Sequence, residues 1–165
     1  RRHPHVFGDT KVDSVEQVWE NWESIKKKEK ENSKLFDSIP NHFPALLQAQ
    51  KIQKKAAREG FDWHDMTGPL EKLEEEIQEF KNEVSQDHPN MARCHDEFGD
   101  ILFALVNIAR KLNIQSEESL KACNKRFMTR YYIMEALVQK DQKELKKMTL
   151  EELDTYWEKA KTQSQ

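Results

Sequence analysis

Residues 70–84 read LEKLEEEIQEFKNEV, and residues 91–112 read MARCHDEFGDILFALVNIARKL. In both stretches apolar side chains recur every three or four residues, which is the pattern of an amphipathic helix. The segment Asp87-His88-Pro89-Asn90 between them breaks this pattern. The sequence therefore predicts two consecutive helices joined by a short connection.

Each predicted helix carries two carboxylates three residues apart: Glu76 and Glu79 on the first, Glu97 and Asp100 on the second. Residues at i and i+3 are neighbours on a helix surface, so the four acids converge if the helices pack side by side. A divalent cation would neutralise such a cluster, and its oxygen ligands suit Mg²⁺ or Mn²⁺. A solvated acidic face is the alternative, because 35% of the chain is charged.

The second helix is the more informative of the two, because residues 101–109 are apolar except for Asn107. A helix that is apolar nearly all round is usually buried. This places Asp100 at the entrance to a buried helix, where a carboxylate needs a partner. The main apolar stripe consists of Phe98, Leu102, Leu105, Ala109 and Leu112.

The composition is that of a single helical domain. The chain has 165 residues with 4 Gly and 5 Pro, and it lacks the alternating pattern of strands. The net charge of −3 indicates neither a nucleic acid polymer nor a membrane as partner. No apolar stretch reaches the roughly 18 residues of a membrane helix, and no signal peptide pattern begins the chain. Cys94 and Cys123 fit no metal spacing and indicate reduced thiols in a cytoplasmic protein.

Residues 1–42 are predicted to form a leader, a helix from about Ser14 to Lys34 and a linker, and residues 43–165 an all-helical domain. A helix over residues 45–58 should end at Gly60, a plausible αL residue. Two further helices start at Ser116 and at Thr149, the second with a capping box. Their predicted apolar sides comprise Leu120, Phe127, Tyr131, Met134 and Val138 on one, and Leu150, Leu153 and Trp157 on the other.

Other hypotheses about the function of these residues are open. His95-Asp96 could belong to a His-Asp metal phosphohydrolase, but the other histidines lie in predicted loops. A di-iron bundle would need Glu-x-x-His pairs, which the sequence lacks. Trp63 could stack on a base or cap the core. A non-catalytic helical dimerisation or interaction module would carry the acids only as a solvated face.

Two short stretches, EEIQE at 75–79 and EFGD at 97–100, resemble the EExxE…ExxD signature of the MazG family of nucleoside triphosphate pyrophosphohydrolases. Three more stretches match this family: PALLQAQKIQKKA at 44–56, GFDW at 60–63 and RRHPHVF at 1–7. Together they extend the resemblance over nearly the whole chain.

This resemblance implies a four-helix-bundle-like core of the all-α NTP pyrophosphatase type, dimeric and dependent on Mg²⁺, with Mn²⁺ as the expected substitute. The implied reaction converts an NTP or dNTP to its monophosphate and pyrophosphate by attack of water at the α-phosphorus. Glu76, Glu79, Glu97 and Asp100 would be the metal ligands, and Glu75 would orient or activate water. No residue indicates a base or sugar preference.

The resemblance also places phosphate-contacting roles on Arg126 and Arg130, although relatives often carry Lys at the first of these positions. The family's late tryptophan falls on Trp157, with Lys161 one turn later, and both are further substrate-binding candidates. Lys72 and Arg93 are further substrate-binding candidates, because each precedes a metal-ligand candidate by one helical turn; an ion pair with that acid is the alternative. In long members of the family the RRHPHVF stretch follows a first domain, so we expect this chain to be the C-terminal part of a two-domain protein. Residues 1–42 would then belong to the inter-domain region, and residues 43–165 would be the second, catalytic domain.

Overall fold

The computed structural model describes residues 34–164, and this part of the chain contains helices and no strand. The helices are α1 (Ala45–Arg58), α2 (Thr67–Val84), α3 (Met91–Lys111), α4 (Ser116–Lys140) and α5 (Leu150–Gln163), with a short 3₁₀ turn at Leu145–Lys147. The all-α prediction is therefore confirmed. The predicted leader and its helix lie outside the described residues. None of the described helices combines the length and the apolar character that crossing a bilayer requires.

The end of α1 is set by Gly60, as predicted. Its φ of 90° lies in the left-handed region that glycine adopts without strain. The Phe61 N–H donates to the Ala56 carbonyl and the Gly60 N–H to the Ala57 carbonyl, each at 3.1 Å. This pair of bonds is the Schellman motif, and it turns the chain sharply into the loop that follows α1.

Polar side chains start two of the helices. Asn90 caps α3, because its side-chain oxygen accepts from the backbone N–H groups of Ala92 and Arg93 at 3.1 and 3.4 Å. Thr149 and Glu152 form the predicted capping box at the start of α5. These caps confirm the predicted break before α3 and the predicted last helix.

The helix α3 packs along α2 and also contacts α1, while α4 packs against α5. Two buried glutamines of α1 join these parts. Gln53 Nε2 donates to the Phe103 carbonyl at 2.8 Å, and Gln50 Nε2 donates to the Ile114 carbonyl at 2.7 Å. Both glutamine side chains are buried, so the two bonds hold α1 against α3 and against the connection that follows α3.

The main apolar cluster lies between the C-terminal half of α4 and α5, where Met134, Val138, Tyr156 and Ala160 are buried. The Tyr156 hydroxyl donates to Asp141 Oδ2 at 2.6 Å, so its polar end is satisfied at the edge of this cluster. The cluster fixes α5 against the second half of α4.

The predicted burial of the α3 stripe was wrong for the single chain. Phe98 and Leu112 are 52% and 54% exposed, and Leu102 and Leu105 are exposed as well. The positions of α3 that are buried are Cys94, Ala104, Val106 and Asn107. The reason is that residues 34–164 cover the stripe only in part: the Phe98 ring lies 5.9 Å from the Phe80 ring of α2, and much of the remaining stripe faces solvent.

The apolar sides of the last two helices were also only partly predicted. On α4, Met134 and Val138 are buried, but Leu120, Phe127 and Tyr131 are exposed. On α5 the buried residues are Tyr156 and Ala160, whereas Leu150 is exposed. The buried residues of α4 are confined to its second half, where the main apolar cluster joins it to α5.

Candidate functional site

Three of the four predicted metal ligands meet where α2 packs on α3. Glu76 and Glu79 come from α2 and Glu97 from α3, and one carboxylate oxygen of each lies within 4.8 Å of the other two. Glu76 is buried, Glu97 is half-buried and Glu79 is exposed. We call this group the acid cluster. Because Glu76 and Glu79 are one turn apart, both can face the same point on α3.

Asp100 lies next to the acid cluster but is not part of it. It follows Glu97 by one turn of α3, is exposed, and lines the cavity that Glu76 also lines. Its charge is close enough to contribute to the raised pKa of Glu97. The structure thus brings three of the predicted ligands together and places the fourth at their edge.

The acid cluster carries more negative charge than its surroundings neutralise. The pKa of Glu97 is raised, first by partial burial and then by the charge of Glu79, with Glu76 and Asp100 adding to the effect. A divalent cation would relieve this repulsion, and carboxylate oxygens are the donors that Mg²⁺ and Mn²⁺ prefer. The donor set therefore fits the implied metal.

Lys72 is the cation that contacts this group of acids. Its Nζ lies 2.6 Å from Glu76 Oε1 and 3.0 Å from Glu75 Oε1. The pKa of Lys72 is raised well above its usual range because Glu76 and Glu75 accept hydrogen bonds from its ammonium group. The predicted alternative for Lys72, an ion pair with the acid one turn later, is present. Glu75 is exposed and turned toward this lysine.

Arg93 has a different partner from the one considered in the sequence. Its Nη1 lies 3.2 Å from Oε1 of Glu83, a buried acid of α2, and not at Glu97. Gln86 Nε2 donates to the other oxygen of Glu83 at 3.3 Å. Sequence spacing could not reveal this pair, because Arg93 and Glu83 belong to different helices. The pair clamps the end of α2 to the start of α3.

A cavity of about 370 Å³, which we call the acid-lined cavity, opens beside the acid cluster, between α1, α2, α3 and the loop after α1. Its polar lining includes Lys72, Glu76 and Asp100 on one side and Asn107 further along α3. Its remaining walls are largely aromatic, formed by Phe36, Phe61, Trp63 and Phe103. The same cavity thus has a charged end and flat apolar walls.

Arg110 holds the loop after α1 over this cavity. Its guanidinium donates to Asp62 Oδ1 at 2.6 Å and to Asp62 Oδ2 at 3.0 Å. It also donates twice to Asn107 Oδ1, at 2.7 and 3.0 Å. The guanidinium holds the pKa of Asp62 below its usual range. Sequence analysis missed this latch, because Asp62 and Arg110 are 48 positions apart.

Trp63 packs against the start of α2. A Cβ added at Gly68 would lie 2.0 Å from the Trp63 ring, so the indole occupies the space that a side chain would need. The Trp63 carbonyl also accepts a hydrogen bond from Lys111 Nζ at 2.5 Å. Trp63 is nevertheless 43% exposed as a residue and lines the cavity, so this loop contributes an aromatic wall to it.

The four basic and aromatic candidates on α4 and α5 lie away from this cavity in the single chain, since none of them lines it. Arg130 Nε donates to Ser164 Oγ at 3.1 Å, and Lys161 pairs with Glu158. Trp157 packs on Phe127 with ring centroids 5.2 Å apart, and Arg126 is exposed. Within residues 34–164 the structure does not bring these candidates to the acid cluster.

The sequence is similar to curated proteins over nearly its whole length. It is 42% identical over 161 residues to the nucleoside triphosphate pyrophosphohydrolase/pyrophosphatase MazG of Thermotoga maritima. This match covers 98% of the chain and 60% of the Thermotoga protein. It is 39% identical over 166 residues to a nucleoside triphosphate pyrophosphohydrolase of Escherichia coli K12, covering 99% of the chain and 63% of that protein.

A third relative is the uncharacterized protein YabN of Bacillus subtilis, which is 48% identical over 163 residues; the match covers 98% of the chain and 33% of YabN. No family model matches the chain. The chain thus spans 60% and 63% of the length of the two relatives that are named pyrophosphohydrolases.

Proposed function

Since the chain belongs to the MazG family, we propose that it hydrolyses nucleoside and deoxynucleoside triphosphates to their monophosphates and pyrophosphate. The observation that carries the proposal is the acid cluster, with its carboxylate oxygens within 4.8 Å of one another beside a cavity of about 370 Å³. The names of two relatives, each a nucleoside triphosphate pyrophosphohydrolase, support the same reaction.

In this proposal Glu76, Glu79 and Glu97 hold Mg²⁺, and Asp100 completes the ligand set from the edge of the cavity; Mn²⁺ is the expected substitute. When bound, the metal would supply positive charge to the polyphosphate and lower the pKa of water. The chain's own carboxylates cannot do this, because they would repel an anionic substrate. Glu75, one residue before Glu76, is the candidate for orienting the attacking water.

The neighbouring cavity is the proposed place for the nucleoside. Its aromatic walls, Trp63 and Phe103 among them, offer flat apolar surfaces to a base, while Lys72, Glu76 and Asp100 lie at its charged end. A substrate bound with its base against the aromatic walls and its phosphates at the charged end presents its α-phosphorus near the acid cluster. Water then adds to the α-phosphorus, and the bond from this phosphorus to the oxygen that bridges it to the β-phosphorus breaks. Pyrophosphate leaves with that oxygen, and the proton released by the water passes to solvent.

The proposed phosphate contacts require cations near the acid cluster. Lys72 is already there, and Arg93 lies at the start of α3, paired with Glu83. The four candidates Arg126, Arg130, Trp157 and Lys161 belong to α4 and α5. We propose that the protein forms a homodimer whose interface covers the exposed apolar stripes of α3 and α4. In this dimer, α4 and α5 of one subunit would lie next to the acid cluster of the other.

Product analysis tests the reaction class. The purified chain would be incubated with a panel of NTPs and dNTPs, with Mg²⁺ or with EDTA, and the products separated by ion-exchange chromatography. We expect monophosphate and pyrophosphate, abolished by EDTA and lowered at least about 100-fold by Glu97→Gln. Glu118→Gln is the matched control, because Glu118 is exposed on α4 and pairs with Lys121 at 3.1 Å.

Diphosphate and orthophosphate as products would contradict attack at the α-phosphorus. The exposed apolar stripe of α3 favours a second candidate function, a non-catalytic helical dimerisation module. That function predicts no turnover, no response to Mg²⁺ and no effect of Glu97→Gln. Turnover that EDTA abolishes would exclude it.

A further inference from the structure

A second concave surface lies on α1, with a volume of about 370 Å³. We call it the basic groove. One side consists of four cationic side chains of α1, and the other is the segment that leads into this helix. Its lining residues are Lys51, Lys54, Lys55 and Arg58, facing Ser38, Ile39, Pro40 and Phe43.

The basic groove and the acid-lined cavity use opposite faces of α1. At about 100° per residue, the four cations fall within roughly 100° of arc. The residues of α1 that line the acid-lined cavity are Ile52, Gln53 and Ala56, and they are centred roughly 160° away. A ligand in the groove would therefore be separated from the acid cluster by the helix itself.

The charge of the groove is not compensated within the described part of the chain. The helix α1 contains no acidic residue. Between residues 34 and 164 no carboxylate lies within salt-bridge distance of Lys51, Lys54 or Arg58, and Lys55 Nζ donates to the Leu35 carbonyl at 2.8 Å. By contrast, Lys121 and Lys147 each pair with an acid one turn away. Like charges three and four residues apart repel, so a bound anion would stabilise this face.

The opposite wall of the groove is mainly apolar. Ile39 is buried, and Phe43 packs edge-to-face on His42 with ring centroids 5.5 Å apart. From Lys51 to Arg58 the helix rises about 10 Å, so a single phosphate cannot contact every cation, whereas linked phosphates can. Cations along one wall and an apolar surface along the other are the chemistry of a polyphosphate that carries a flat organic group.

We propose that the basic groove binds the polyphosphate of a nucleotide, or pyrophosphate itself, at a site distinct from the acid cluster. Binding there needs no metal, because the lysines and the arginine supply the positive charge directly. The inference depends only on α1 and the segment before it, so it goes beyond the proposed hydrolysis and does not depend on it.

Isothermal titration calorimetry tests the proposal. The full chain is titrated with sodium pyrophosphate, and separately with ATP, in EDTA and at low salt. Without metal the acid cluster repels both probes, so binding reports on cationic surfaces alone. We expect saturable binding that Lys51→Gln/Lys54→Gln weakens about tenfold. Lys121→Gln/Lys147→Gln removes the same charge outside the groove and should leave the affinity unchanged. Circular dichroism verifies that each variant is folded.

Arg126→Gln/Arg130→Gln is the second control, because these arginines form the other cationic candidate. Retained binding in this variant supports the groove, and loss confined to it would overturn the proposal. Absence of pyrophosphate binding by the unaltered chain would also overturn it, as would equal weakening by both lysine pairs. A chain that binds a single-stranded oligonucleotide but not pyrophosphate would have a nucleic acid surface instead, which contradicts the proposal.

Discussion

Replacing Arg110 by alanine should destabilise the fold and loosen the wall of the acid-lined cavity. The side chain of Arg110 is only 14% exposed, and its guanidinium makes two hydrogen bonds to Asp62 and two to Asn107 Oδ1. Hydrogen bonds to charged groups contribute about 1.5–3 kcal/mol each. Asp62 is 26% exposed and keeps Lys111 Nζ at 3.7 Å, so water and this lysine recover part of the loss. We expect a net loss of about 3 kcal/mol.

For a chain of this size, that loss corresponds to a melting temperature about 6–12 °C lower. Urea denaturation followed by circular dichroism measures the free energy of unfolding directly. Arg58→Ala is the matched control, because Arg58 is exposed and has no carboxylate partner among the described residues. If Arg110 acts through Asp62, the double variant Arg110→Ala/Asp62→Ala should cost little more than Arg110→Ala alone.

The pH dependence of this difference has a defined sign. The folded-state pKa of Asp62 is lowered from its ordinary value of 3.8, chiefly by its hydrogen bonds to Arg110. Its contribution is therefore fully present above that ordinary value and is lost as the pH falls through the folded-state pKa. The stability gap between the unaltered chain and Arg110→Ala should persist at neutral pH and shrink in acid. A loss below about 1 kcal/mol, or full additivity with Asp62→Ala, would refute this account of the latch.

Three further predictions concern the acid cluster, the loop and the exposed stripe. In EDTA at neutral pH, Glu97→Gln should raise the melting temperature, because the folded state raises the pKa of Glu97 and so disfavours its charged form. Mg²⁺ at 100 times its Kd should then stabilise the unaltered chain by about 2.7 kcal/mol and leave the variant unchanged. An equal response to Mg²⁺ in both would contradict the metal site. Gly68→Ala should destabilise by about 1–3 kcal/mol in urea denaturation, because its Cβ would overlap Trp63, whereas Gly99→Ala, with open space around it, should stabilise α3 by about 1 kcal/mol; the same sign for both would be inconsistent with this packing. Leu105→Glu should convert the proposed dimer to a monomer in light scattering, and a mass that stays unchanged would count against the stripe as the interface.

Local sequence signals predicted the helices well, because their causes lie within a few residues of each helix end. Asn90 and Thr149 start their helices by accepting backbone N–H groups two or three residues later, and Gly60 ends α1 with a positive φ. The convergence of Glu76 and Glu97 was predictable for a related reason. Carboxylates on two consecutive helices meet if the helices pack side by side, and the apolar pattern of α2 and α3 favours that packing.

Contacts between residues distant in sequence were not predictable in this way. Nothing near Asp62 indicates that Arg110, 48 residues later, will hold it. The partner of Arg93 was misjudged for the same reason, because a neighbour at i+4 is visible in sequence while Glu83 on another helix is not. The cavity and its aromatic walls arise from such contacts, so its shape could not be derived from periodicity.

The burial of α3 shows a further limit of periodicity. An apolar stripe states that a surface avoids water, but it does not state whether the same chain or a second one covers that surface. Phe98 and Leu112 remain about half exposed although their stripe is as apolar as a core helix. The cationic candidates on α4 and α5 also lie away from the acid cluster. A second copy of the chain would account for both observations, since it would cover the stripe and could supply cations to the acid cluster beyond Lys72.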